Sequence, residues 1–152
     1  MATTNLGGRV TKRLNRPTGF FTTVDVKAGE APIVGTLGLQ QSGLLVDATG
    51  NIGAGGTPVM VDRAETPMER TAETPLDNRT GQDGDVRARV IHGEAFLLNV
   101  QDNISATNEG DDVFIVDNDT VTITQVGTEP KVGHIVRVEG QNSAYVLVEG
   151  TA

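Results

Sequence analysis

The sequence predicts an all-β protein, a small antiparallel β-barrel or sandwich with an extended N-terminal arm, and three observations carry that expectation. Valine, threonine and glycine each occur 19 times. Branching at Cβ stiffens valine and threonine toward a pleated backbone, and glycine supplies the positive-φ corners that short strands require. Apolar and polar residues alternate in Thr120-Val121-Thr122-Ile123-Thr124, and again where Ile135, Arg137 and Glu139 oppose Val136 and Val138. Such alternation buries one face of a strand and wets the other. Turn chemistry then recurs at Asn108-Glu109-Gly110-Asp111, Asp117-Asn118-Asp119 and Glu139-Gly140-Gln141-Asn142, so neighbouring strands are expected to pair as antiparallel hairpins.

The 152 residues suit one ordinary domain with one core rather than two. The division expected is a basic arm at 1–24 and a β-rich domain at 25–152. Within 1–24, Arg9, Lys12, Arg13 and Arg16 stand without a single acid and give +4, whereas the rest of the chain carries −12; together these make the net −8. Leu6, Val10 and Leu14 share a helical spacing, but Gly7, Gly8 and Pro17 oppose an isolated helix. The segment reads as an arm that orders on a partner.

Beyond it, the expected strands are Ile33–Leu39, Leu44–Val46 and Pro58–Val61, then Val86–Ile91, Ala95–Val100, Asp112–Val116, Thr120–Val126, Val132–Glu139 and Ala144–Glu149. Residues 64–79 hold a tandem octapeptide, Ala64-Glu65-Thr66-Pro67-Met68-Glu69-Arg70-Thr71 followed by Ala72-Glu73-Thr74-Pro75-Leu76-Asp77-Asn78-Arg79. Thr, Pro and a following acid are placed as in a capping box, so one or two helical turns or an extended polar excursion both fit.

Several chemistries are disfavoured. Without cysteine there is no disulfide, thiolate metal site or thiol nucleophile. No apolar run is long enough to span a membrane, and the basic start lacks the apolar stretch of a secretory signal. Ser42, Ser105 and Ser143 lie outside any nucleophile elbow, and His92 and His134 fall in expected strands without an obvious triad grouping. Gly50-Asn51-Ile52-Gly53-Ala54-Gly55-Gly56 lacks the helix and the lysine of a phosphate loop. Asp111, Asp112, Asp117 and Asp119 do not meet the calcium-loop template and read as turn formers, as does Asp83-Gly84-Asp85. Paired acids acting as in a hydrolase would need one carboxyl in an apolar site, and the acids here sit in turns or on wet faces. No catalytic residue, metal or cofactor is expected.

The arm is the feature that remains. Its cations suit nucleic-acid phosphates, yet the acidic body opposes DNA, so nucleic acid is not the expected partner. They equally suit an acidic protein surface, with Phe20 and Phe21 as an apolar anchor at the root; a tail without a role is the plain alternative.

A resemblance sharpens this. Gly110-Asp111-Asp112-Val113-Phe114-Ile115-Val116-Asp117, Thr120-Val121-Thr122, Pro130-Lys131-Val132-Gly133-His134-Ile135-Val136-Arg137-Val138-Glu139-Gly140 and Ala144-Tyr145-Val146-Leu147-Val148 resemble the closing part of head-decoration (capsid cement) proteins of tailed bacteriophages. Thr57-Pro58-Val59-Met60-Val61-Asp62 is similar to their proline-led strand. The likeness spans about half of the chain, in patterns of turns and apolar residues; the basic arm and the octapeptide repeat depart from it. It implies a non-enzymatic virion structural protein, made in the host cytoplasm, that binds and stabilises the outside of an assembled capsid. The major capsid protein is the implied partner and a homo-oligomer, a trimer by preference, the implied state. The arm residues Arg9, Lys12, Arg13, Arg16, Phe20 and Phe21 would then be the capsid contacts. Another virion module, of tail, fibre or carbohydrate-binding type, is the alternative.

Overall fold

The computed structural model describes residues 20–65 and 76–149. The chain is all-β. Its ten strands are β1 (Phe20–Val26), β2 (Leu37–Gln41), β3 (Leu44–Asp47), β4 (Thr57–Ala64), β5 (Arg87–His92), β6 (Glu94–Val100), β7 (Asp112–Ile115), β8 (Thr120–Thr122), β9 (Lys131–Gly140) and β10 (Ser143–Val148). They close into two successive barrels, ordered β1-β3-β2-β4-β5 and β10-β6-β8-β7-β9.

The two barrels are the same construction used twice. In the first, β1 runs parallel to β3 and antiparallel to β5, β2 is antiparallel to β3 and β4, and β4 is antiparallel to β5. In the second, β6, β7, β8, β9 and β10 repeat every one of those pairings with the same directions. The register repeats too. Asp25 faces Leu44 and Arg87 as Asn99 faces Thr120 and Ser143. Val61 pairs with Val90, Asp62 is bulged out, and Arg63 pairs with Arg89; Ile135 pairs with Val146, Val136 is bulged out, and Arg137 pairs with Tyr145. An extra residue bends a strand and sharpens its twist, which helps close a small barrel.

Interior positions match accordingly. Val24, Val26, Leu45, Val61, Ala88 and Val90 of the first barrel stand where Leu98, Val100, Val121, Ile135, Ala144 and Val146 stand in the second, all buried. Five strands enclose a narrow lumen, so small branched residues fill it and large rings do not. That is the physical reason for a valine-rich, aromatic-poor chain.

Two apolar clusters result. One lies inside the first barrel and includes Leu76 from the β4–β5 connection. The other joins the second barrel's interior to Leu37, Leu39, Val46, Met60 and Ile91, which project from the outer side of the first barrel's strands. Strands β3, β4 and β5 are therefore apolar on both faces: Leu45, Val59, Val61 and Val90 point into their own barrel while Val46, Met60 and Ile91 pack toward the other. The expectation of a single core is corrected here, because narrow barrels permit two interiors in a chain of this length.

Other boundaries are corrected too. Strand β1 begins at Phe20, so residues 20–24 are barrel wall and not arm; residues 1–19 lie outside the described residues. The strand expected at Ile33–Leu39 starts only at Leu37. Thr36 Oγ1 and N–H both donate to Ile33 O (2.6 and 3.2 Å), and Gly35 has φ 83°, which turns the chain before the strand. The strand expected at Thr120–Val126 ends at Thr122. There Asp102 Oδ2 accepts from Thr122 Oγ1 (2.7 Å) and Ile123 N–H (2.8 Å), and Glu129 Oε1 accepts from Gly127 N–H (2.9 Å). Carboxylates replace ladder carbonyls, and the chain leaves the sheet. Of the octapeptide repeat, Ala64 ends β4, Asp77–Arg79 is non-helical, and the capping residues Thr66, Pro67, Thr74 and Pro75 lie outside the described residues.

Candidate interaction surface

Strand β1 follows the basic segment directly and presents its first residues to solvent. Phe20 is 68% exposed and Phe21 43%. Their positions are fixed by the pairing of β1 with β5, where Phe20 faces His92 and Phe21 faces Ile91. The Phe20 ring lies 5.8 Å from the His92 ring, tilted by 33°. Arg89 stacks its guanidinium 4.2 Å from the Phe21 ring centre, and its Nε donates to Asp62 Oδ2 at 2.9 Å. The guanidinium is thus held between a carboxylate and an aromatic face, and it fixes the Phe21 side chain as a rigid exposed ring.

The sequence located Phe20 and Phe21, and the fold adds Arg89, His92 and Asp62 around them. These three were missed because they belong to β4 and β5, far along the chain, and reach β1 only through barrel closure. The other arm residues, Arg9, Lys12, Arg13 and Arg16, lie outside the described residues.

The second barrel lacks the same patch at equivalent positions. Glu94 and Ala95 replace Phe20 and Phe21, and Tyr145 replaces Arg89. Arg137 there lies 4.9 Å from the Tyr145 ring centre, a direct cation–aromatic pair across the strands. In the first barrel the corresponding Arg63 faces Arg89, and Asp62 lies near both guanidinium groups, at 3.7 and 2.9 Å.

Elsewhere the polar groups serve the chain itself. His134 Nδ1 lies 3.5 Å from Glu149 Oε1, and Lys131 bridges Asp112 (3.2 Å) and Glu149 (3.8 Å). Both histidines are on strands, as expected. Asp119 N–H donates to Asp117 Oδ1 at 2.9 Å, and Asn108 Nδ2 to Asp111 Oδ2 at 2.9 Å, so these acids shape turns. The glycine-rich stretch forms a short 3₁₀ turn at Ile52–Ala54, tied down by Gln41 Nε2 donating to Asn51 O and Gly55 O, both at 2.9 Å. Among the described residues no three His, Cys, Asp or Glu side chains converge as a metal ligand set, and no helix is long and apolar enough to cross a membrane. An open groove of about 370 Å³ runs between Thr57-Pro58 and Pro130-Lys131-Val132.

In comparisons with protein families, characterised proteins and solved structures, nothing matches this chain.

Proposed function

We propose that this chain is a non-enzymatic virion structural protein that binds the outer surface of an assembled phage capsid and stabilises it, with its basic N-terminal segment lying on capsid subunits. The observation that carries the reading is the exposed Phe20–Phe21 pair, braced by Arg89 and His92, directly after four cations. A rigid aromatic anchor beside a cationic strap suits an acidic protein surface with apolar pockets, since buried aromatics at an interface centre dominate binding energy. Most of the residues that resemble head-decoration proteins fall together, since Asp112–Val148 supplies four of the five strands of the second barrel, while Thr57–Asp62 lies in β4 of the first. Several weak contacts per subunit, multiplied in a homo-oligomer, give high avidity.

Mixing the purified chain with undecorated, expanded capsids and imaging them by cryo-electron microscopy tests the reading; ordered density on the outer shell at physiological salt is expected. Deleting residues 1–16, or replacing both Phe20 and Phe21 with alanine, weakens attachment at least about tenfold while leaving the circular dichroism unchanged. Bare capsids at saturating protein would sink the proposal. The ring of Phe20 is open enough to stack on a sugar, which favours a carbohydrate-binding virion component as the second reading. Binding on a glycan array combined with bare capsids would select it.

A further inference from the structure

Strand β1 is longer than the barrel wall that it closes. It pairs with β5 from Phe20 to Asp25, but with β3 only at Asp25 and Val26. In an extended strand the N–H and C=O of one residue point to one side, and those of the next residue to the other. Val26 N–H donates to Val86 O (2.8 Å), so Phe20, Thr22, Val24 and Val26 turn their main chain toward β5. Lys27 N–H donates to Leu45 O (3.0 Å), so the odd-numbered residues turn theirs toward β3. Phe21 and Thr23 lie before β3 begins to pair. Among the described residues no strand meets their outward N–H and C=O groups.

This open edge carries none of the features that keep edges from pairing. Phe20–Val24 holds only aromatic and β-branched residues, without charge, glycine or proline, and its first four residues are exposed. The matching stretch of β6, Glu94–Leu98, is alternately buried and half-buried. Proteins blunt a bare edge with lysine, proline or a covering loop, because it templates pairing with another chain. An unblunted edge of high strand propensity is a seat for a further strand.

The strand that fits is β1 of a second copy. Set antiparallel across a two-fold axis at Thr22, Phe21 faces Thr23 of the second copy, and Thr23 faces its Phe21. The outward main-chain groups of both copies are then all hydrogen-bonded to one another. An axis at Thr23 instead would set Phe21 against Asp25, whose main chain already belongs to the β3 ladder. Charge favours the same direction. The chain before Phe20 carries Arg9, Lys12, Arg13 and Arg16 and no acid, and in this pairing it leads past Val24 of the second copy. At that end of β1 stand Asp25, Asp83 and Asp85. Gly84 N–H donates to Val26 O (3.1 Å), and Asp83 Oδ1 accepts from Ala28 N–H (2.8 Å). The cations of each copy therefore run toward the acids of the other.

We propose that the chain forms a two-fold dimer in which the β1 edges of two copies pair antiparallel about Thr22, joining the two first barrels through one continuous sheet. Both Phe21 rings, each stacked by its own Arg89, then lie on one face of that sheet. On a capsid this doubles the anchor, but the dimer is a property of the purified chain and does not rest on the capsid reading.

Sedimentation velocity of the full chain at physiological salt should show a dimer. Thr22→Lys sets two like charges against each other on the axis and should weaken dimerisation at least about tenfold with unchanged circular dichroism, as should Thr22→Glu. Mixing the two variants should restore a dimer, since opposite charges then meet on the axis. The Phe21 and Thr23 amides should exchange at least about tenfold more slowly in the wild-type dimer than in Thr22→Lys. A monomeric wild-type chain, a dimer indifferent to residue 22, or a mixture that stays monomeric would each overturn the proposal. Capsid attachment by a monomeric chain would overturn the dimer and leave the capsid reading standing.

Discussion

The two barrels share strand order, pairing direction and even the position of a bulge, yet they fill the same lumen with different side chains. Gly38 and Leu45 lie in the first barrel where Val113 and Val121 lie in the second. A Cβ at Gly38 would come within 2.8 Å of Leu45 Cδ1 and 3.0 Å of Val61 Cγ2. One small and one large residue thus replace two medium ones. Their connections differ as well. The long β4–β5 connection returns Leu76, fully buried, to the first interior. The corresponding β9–β10 turn is Gln141-Asn142, and Ile104 from the β6–β7 connection joins the second cluster instead. A five-stranded lumen constrains total volume, while the identity of each contributor is free to vary.

The comparison breaks most visibly at Leu76. Leu76→Ala should cost about 2–5 kcal/mol in chemical denaturation, because it removes a fully buried side chain from the first barrel's interior. It should lower protection of β1, β4 and β5 amides before those of the second barrel. A uniform loss across both barrels would show that their interiors do not act separately.

Next comes the exchange of packing schemes. Gly38→Ala should cost about 1–3 kcal/mol by overpacking against Leu45. Combining it with Leu45→Val, which approaches the second barrel's arrangement, should recover part of that loss. A double-mutant cycle measures the coupling, and strict additivity would mean that the two positions do not trade volume.

The smallest effect is expected on the outer face of the second barrel, where Asp112, Phe114, His134 and Leu147 replace the buried Leu37, Leu39, Met60 and Ile91. Asp112→Ala removes the exposed Lys131 pair, and it should change stability by less than about 1 kcal/mol, and less in high salt. If sedimentation then shows new association, that ion pair serves to keep this face from binding another apolar wall.

The same comparison shows what reading the chain alone can reach. Strand β10 was legible because Ala144, Val146 and Val148 recur at every second residue and are buried. The alternation around Ile135 to Glu139 marked β9 as a strand but is corrected in its faces, because the bulge at Val136 leaves Ile135 buried and Arg137, two residues on, exposed. Strand β1 was hidden: Phe20-Phe21-Thr22-Thr23 sits beside a basic segment, and its outer apolar residues resemble an arm more than a wall. The large repeat was hidden as well. The octapeptide copies at 64–79 are alike in sequence and adjacent, whereas the barrels share only scattered identities such as Val26 with Val100, Arg63 with Arg137 and Val90 with Val146. Of the interaction surface, Phe20 and Phe21 were readable as exposed aromatics beside cations; Arg89, Asp62 and His92 were not, since closure alone brings β5 to β1.

Composition, alternation and turn residues determined by themselves that the chain is all-β, because branching at Cβ and period-two burial are local properties. Only the tertiary structure decided that these strands close twice, and that Met60, Ile91 and Leu39 face a second barrel and not water. Strand closure and the burial of an outer face depend on contacts between residues far apart in the chain, which no local pattern records.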